Sequence, residues 1–361
     1  MLRTTRFLAS YLRYPTGPVQ EEEVEVPSAE GAIPATLYRR RTPGSLPGWV
    51  ALHGITVPGR RHAGLQRFAH ALAGAGTAVL VPEIRPWADL RVDSGAADRA
   101  IRASAAYLAH RADVQEGGVG VVGFSFGATQ ALITAAEPEM GVTIRQVVGF
   151  GGYCDLRRAV RFMFTGEHEW DGVRYHLDPD PYGRWIAAAN YLTRLPGYTG
   201  MDAVARAARK LAEAAGLSGD YAGDSVFDPL KRELRRTLRS DEQRVWDLIA
   251  TPAGMRPAPG ARRELAEHLA EAALAGDPGL DPRPVLRRMY TPTVLAHGIA
   301  DHLLPFTGTL RLRDYFPPDA PVSVTLTRLF AHSGGAPPIH PWQYPRELAR
   351  YLRLVGRAFG G

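Results

Sequence analysis

Gly123-Phe124-Ser125-Phe126-Gly127 lies between an apolar run, Val119-Gly120-Val121-Val122, and a stretch of helical character, Ala128-Thr129-Gln130-Ala131-Leu132-Ile133. A strand, a sharp turn centred on Ser, then a helix is the context in which G-x-S-x-G presents a nucleophile. The constraint is steric. So tight a turn strains the Ser backbone, and a Cβ at either flanking Gly would strike the neighbouring strand or helix. The rest of the chain must therefore build a sheet at whose carboxyl edge the Ser125 hydroxyl is exposed. The N-terminus of the following helix then lies beneath it and favours developing negative charge.

Partners for such a Ser occur in the chain order Ser, acid, His. Thr293-Val294-Leu295-Ala296 predicts a buried strand, and His297-Gly298-Ile299-Ala300-Asp301-His302-Leu303-Leu304-Pro305 its exit loop. A carboxylate at Asp301 is placed to accept the Nδ1 proton of a histidine and hold its tautomer. Val322-Ser323-Val324-Thr325-Leu326-Thr327 predicts a final alternating strand, followed by Ala331-His332-Ser333-Gly334-Gly335. There His332 would act as general base toward Ser125 and then as general acid toward the leaving group. Upstream, Trp49-Val50-Ala51-Leu52 runs into His53-Gly54-Ile55-Thr56. A Gly after a central strand lets the next amide turn toward a bound oxygen, so the amides of Ile55 and Phe126 are paired as the oxyanion hole.

The chain here resembles the α/β-hydrolase family, on the H-G at 53–54, the G-x-S-x-G at 123–127, the H-G-x-x-D with a following Pro at 297–305, and the late His332. These features span about two thirds of the chain, all but a central block. The resemblance implies a doubly wound, mostly parallel α/β sheet, a Ser125–His332–Asp301 triad, and hydrolysis of an ester-like or amide-like bond. It implies neither a metal nor an organic cofactor. The H-G-G-G oxyanion loop of one lipase and esterase branch is missing, because His53-Gly54 continues as Ile-Thr. That is closer to the esterase, peptidase and dienelactone-hydrolase-like branches.

Other residues compete for the same roles. Asp155 follows the strand-like Gln146-Val147-Val148-Gly149-Phe150 and is the rival acid; Asp301 is preferred because its surrounding motif is fuller. Asp301 could also simply cap the turn after it. His302 and His340 compete with His332, which is preferred for its place after the last strand. His53 is read as structural, beneath the oxyanion loop. Cys154, with no basic neighbour in sequence, is read as a small buried hydrophobe.

The remaining pattern supports the same architecture. Glu23-Val24-Glu25-Val26 and Ala35-Thr36-Leu37-Tyr38 predict antiparallel entry strands joined around Gly31, with Pro34 suiting an edge. Leu65, Phe68, Ala69 and Leu72 mark a helix face, residues 77–81 a strand, 98–110 a helix, and 345–359 a closing helix. Between about Tyr153 and Arg283 strand-like runs vanish. An aromatic and acidic loop through Glu167, His168, Trp170, Tyr175 and Trp185 is followed by helical spacing over 203–215, 230–249 and 262–274. Prolines at 252, 257, 259, 278, 282 and 284 punctuate its end as a hinge or linker would. This predicts a core of 1–152 and 286–361 with a mainly helical cap insertion of 153–285. Phe164 and Trp185 are the expected pocket-lining aromatics, and the bland alternative is a set of surface helices with no substrate role.

Composition narrows the function classes. The net charge is +6, but only two of the 43 basic residues are lysines, Lys210 and Lys231, and the arginines are scattered. No nucleic-acid motif accompanies them, so nucleic acid is excluded as a partner. A single cysteine rules out an internal disulfide and suits the cytoplasm. Residues 1–13 carry too short an apolar run for a signal peptide, and no run is long enough to span a membrane. The N-terminal segment is read as an amphipathic helix docked on the core, with weak peripheral membrane contact as the alternative. The expected partner is a small-molecule acyl substrate and the expected function a serine hydrolase cleaving a carboxylic ester. A peptidase or acyltransferase would use the same triad, whereas a non-catalytic binding protein of this shape would normally lack one of its members.

Overall fold

The computed structural model describes residues 2–255, 259–330 and 340–360. Among these residues are ten strands: β1 (Val19–Val26), β2 (Ile33–Arg40), β3 (Gly48–Leu52), β4 (Ala78–Pro82), β5 (Val119–Phe124), β6 (Ile144–Phe150), β7 (Glu167–Trp170), β8 (Val173–His176), β9 (Thr293–Gly298) and β10 (Val322–Thr327). Eight of them form one sheet in the order β1-β2-β4-β3-β5-β6-β9-β10. β1 and β2 pair antiparallel around Gly31, β2 also meets β4 antiparallel, and the other pairings in this sheet are parallel. Pro34 belongs to β2, one strand in from the edge, and is tolerated because it lies one residue inside the strand end.

The central strands read as unbroken apolar runs because both faces are covered. β3 and β4 are buried along their whole lengths. On one face lie the helices Ala63–Gly74 and Tyr344–Phe359, with the N-terminal helix Leu2–Arg13 across them. Phe7, 1% exposed, packs against Phe68 and Phe359, so this helix spends its apolar face on the core, as docking requires. On the other face lie Ser94–Ala109, Phe126–Ala135 and Phe306–Tyr315. Among the described residues no helix is long and apolar enough to cross a membrane.

Between β6 and β9 the chain leaves the sheet. It forms the helix Leu156–Thr165, the β7–β8 hairpin, and the helices Pro181–Tyr191, Asp202–Ser218, Asp228–Arg236, Ser240–Ile249 and Pro259–Gly276. The expected 230–249 stretch is two helices, and the second begins where Glu242 reaches back to the Arg239 amide at 2.8 Å. The expected aromatic loop contains the hairpin, which turns at Asp171 (φ 49°) and Gly172 (φ 73°). Two consecutive left-handed residues make the turn that matches strand twist. The helix Pro181–Tyr191 is capped by Asp180, whose carboxylate accepts the Tyr182 amide at 2.9 Å.

Candidate active site

The parallel strands bring the carboxyl ends of β3, β5, β6, β9 and β10 to one edge, with Leu52 opposite Gly123, Phe124 opposite Phe150, Phe150 opposite Ala296, and Gly298 opposite Thr327. Ser125 sits between β5 and the helix Phe126–Ala135 with φ 57° and ψ −126°, a conformation costing about 1–3 kcal/mol for a residue with a Cβ. Its amide donates to the Phe150 carbonyl at 2.8 Å. The flanking glycines are required by contact. A Cβ on Gly123 would collide with the Gly127 carbonyl, and one on Gly127 would lie 2.5 Å from the His53 carbonyl. The loop after β3 is as close, since a Cβ on Gly54 would lie 3.1 Å from the Ser125 Cβ. Gly54-Ile55 and Ser125-Phe126 are thus adjacent, and Phe126 opens its helix at the positive end of the dipole.

His53 is buried under this loop. One ring nitrogen, Nε2, accepts the Ile84 amide at 3.1 Å, so the proton is on Nδ1, which donates to the Gly54 carbonyl at 2.7 Å. Burial holds this imidazole down to about 4. Glu83, whose pKa burial raises, lies 3.6 Å from Nε2, and Arg60 bridges Glu83 to Glu23. His168, among Phe162, Tyr175 and Phe306, is likewise held down to about 4 by burial. Both histidines take up a proton near 6.5 when unfolded and near 4 when folded. Their contribution is therefore intact above pH 6.5 and lost as pH falls toward 4. Denaturant titrations at pH 7.0, 5.5 and 4.5 should show stability declining with acid, by on the order of 3 kcal/mol for His53.

Asp301 is 1% exposed on the loop after β9. Its Oδ1 accepts the amides of Leu303 and Leu304 at 2.9 and 3.0 Å, so it does cap the turn, and its Oδ2 lies 3.3 Å from His297 Nε2. A carboxylate has about four acceptor sites, so this capping does not consume it. The rival Asp155 caps the helix Leu156–Thr165 and pairs with Arg283 at 3.1 Å. Among the rival histidines, His302 donates from Nδ1 to the Asp178 carbonyl at 2.7 Å, and His340 is exposed. The expected base, His332, lies outside the described residues. Cys154 is fully buried, with its thiol pushed up to about 12 by burial, as suits a small hydrophobe.

Ser125 opens into an apolar cavity of about 100 Å³, whose walls include Ile55, Phe126, Val160, Met163, Ile186 and Leu269. The last four come from the insertion, so it covers the nucleophile. Phe164 and Trp185, expected to line this cavity, are instead buried inside the insertion. Trp185 donates to the Ile249 carbonyl at 3.1 Å and lies against Lys231 and Phe227. The reason is helical phase: Met163 and Ile186, one residue away on the same helices, face the cavity, while the Trp185 indole is turned to the Ile249 carbonyl and Phe227. Tyr182, also on the wall, was not singled out by sequence. A larger cleft of about 630 Å³ lies between the hairpin and Pro305–Gly308 and does not include Ser125. Several of its arginines are tied in ion pairs, Arg158 to Glu169 at 3.0 Å and Arg263 to Glu167 at 2.6 Å among them.

No protein-family model and no curated protein matches the chain. Solved structures do. The brefeldin A esterase, a bacterial homologue of human hormone-sensitive lipase, superposes with a TM-score of 0.50 at 17% identity, over 99% of this chain and 83% of that one. An acetyl xylan esterase from a Paenibacillus species gives 0.48 at 15%, over 98% and 93%. A 2-hydroxy-6-oxo-6-phenylhexa-2,4-dienoate hydrolase from a Rhodococcus species gives 0.46 at 16%, over 93% and 99%.

Proposed function

The chain has the α/β-hydrolase fold, and from that premise we propose that it is a serine hydrolase cleaving a carboxylic ester. The observation that carries the reading is Ser125 itself, held at φ 57° on the sheet edge, against the loop after β3, at the mouth of an apolar cavity. In the proposed mechanism His332 takes the Ser125 proton as the hydroxyl attacks the carbonyl, and Asp301 holds the imidazole in the tautomer that accepts it. The amides of Ile55 and Phe126 receive the oxyanion. His332 then protonates the leaving group, and water releases the acyl-enzyme. We take 153–285 as the cap and 1–152 with 286–361 as the core. The lone buried Cys154 accords with a reducing cytoplasm.

The test is direct. Purified protein should hydrolyse members of a panel of acyl esters and be labelled at Ser125 by a fluorophosphonate. Amide and thioester arms, and an added alcohol acceptor, distinguish peptidase and acyltransferase activity from ester cleavage. A protein inert to the whole panel and unlabelled would be a binding protein on this fold.

The apolar cavity also predicts which residues choose the acyl group. Met163 is only partly buried, so Met163→Ala should enlarge the cavity at little cost to the fold. It should raise the ratio of kcat/KM for long over short acyl esters about tenfold, within the range expected of one or two methylenes. Trp185→Phe should leave that ratio unchanged, because the indole lies in the interior of the insertion. Equal ratios for Met163→Ala and wild type would move the acyl site elsewhere.

A further inference from the structure

We propose that Tyr182 is a positioning residue for the oxyanion donor at Ile55, so that the cap completes the catalytic machinery as well as walling the cavity. This rests on the reading of Ile55 as an oxyanion donor. Two peptide units meet at that residue. The first, Gly54–Ile55, carries the amide in question, and in a trans peptide N–H and C=O point in opposite directions. Whatever fixes the Gly54 carbonyl therefore aims the Ile55 N–H. His53 Nδ1 does so at 2.7 Å, and His53 is itself fixed by the Ile84 amide on Nε2. The second unit, Ile55–Thr56, has its carbonyl held by the Tyr182 hydroxyl, which donates at 3.1 Å. With the units on both sides held, Ile55 has little torsional freedom left with which to swing its amide away.

The two anchors come from different parts of the molecule. His53 belongs to the core, whereas Tyr182 stands in the first turn of the helix Pro181–Tyr191. That helix start is tied to the acid loop as well. The Asp180 amide donates to the His302 carbonyl at 2.7 Å, and His302 Nδ1 donates to the Asp178 carbonyl at 2.7 Å. His302 directly follows Asp301. The short segment Asp178–Tyr182 thus bonds to the loop after β3 through Tyr182, and to the loop after β9 through Asp178 and Asp180. In this position the segment both steadies an oxyanion donor and braces the acid loop. A donor misplaced by about 1 Å is expected to cost catalysis heavily, because its value lies in being aimed before charge develops.

Tyr182→Phe removes only the hydroxyl and tests this. The substrate is 4-nitrophenyl acetate, whose acyl group is too small to need the cap walls, and the second probe is phenylboronic acid, which adds to Ser to form a tetrahedral anion. Rates are normalised to fluorophosphonate-titratable Ser125, labelled to completion, so that only folded protein is counted. Y182F should lower kcat about tenfold or more with KM within twofold, and raise the boronate inhibition constant by a similar factor, because both transition state and adduct use the oxyanion donor. A kcat and a boronate constant both within twofold of wild type would overturn the proposal, as would a loss carried by KM alone. If wild type neither cleaves the ester nor is labelled at Ser125, the underlying reading falls instead, and that is seen before any variant is made.

Discussion

Ser125→Ala is expected to reduce ester hydrolysis to background, a loss on the order of 10⁶ in kcat, and to abolish fluorophosphonate labelling. The fold should survive. Ala carries the same Cβ as Ser at φ 57°, so backbone strain is unchanged, and the Ser125 amide keeps its bond to Phe150. Ser125→Gly provides a second arm with the opposite sign in stability. It should be equally inactive, yet melt higher, because glycine occupies this conformation without the strain of about 1–3 kcal/mol. Labelling of Ser125→Ala at another residue would take the elbow out of the mechanism. A Ser125→Gly variant less stable than Ser125→Ala would mean that the turn is not strained as its dihedral angles imply.

Asp301→Asn should cost on the order of 10⁴ in kcat by stabilising the wrong tautomer of the proposed base. The local geometry adds a second effect. Leu304 and Asp301 both present acceptors to His297 Nε2, which places its proton there, and Nδ1 then accepts from the Thr309 hydroxyl at 2.6 Å. An Asn that keeps its oxygen toward the Leu303 and Leu304 amides turns its NH₂ toward that proton. Stability should fall by about 1–3 kcal/mol, the cost of leaving a buried polar group without its partner. Activity is therefore compared well below the melting temperature. Asp155→Asn is the control: Asn caps a helix as well as Asp does, so the variant loses chiefly the charge paired with Arg283, and it should keep its turnover. The reverse pattern would reassign the acid to Asp155.

What sequence made legible follows from how completely each element is constrained. β3, β4, β5 and β9 announce themselves because both faces are buried, which leaves no polar alternation to confuse them. The Ser125 turn and the Gly54 loop were legible because glycine is demanded there by contact, with Gly127 against the His53 carbonyl and Gly54 against Ser125. The cap was legible only as helices. An apolar position such as Leu269 has the same spacing whether it faces a cavity or a neighbouring helix, so lining residues carry no mark of their own. Aromatic size led to Phe164 and Trp185, and burial claimed both. Two signals were present and unused: Asp171-Gly172, the strongest short-range hairpin signature, and Asp180-Pro181, a cap followed by a proline in the first helical turn. The Tyr182 contact with Ile55 had no signal at all, because it joins residues far apart in the chain.

The route from β6 to β9 has a thermodynamic consequence. These strands are neighbours, with Val147 opposite Thr293 and Phe150 opposite Ala296, and their register is set by the ladder between them rather than by the chain that connects them. A parallel pair needs a long crossover in any case. The entropy of closing a loop grows only with the logarithm of its length, about 0.6 kcal/mol for each doubling. Lengthening or shortening this excursion is therefore nearly neutral for the sheet, provided the residues gained or lost can bury their own apolar surface. Selection can rebuild the part proposed to meet the substrate at small cost to the part that holds Ser125 and Asp301.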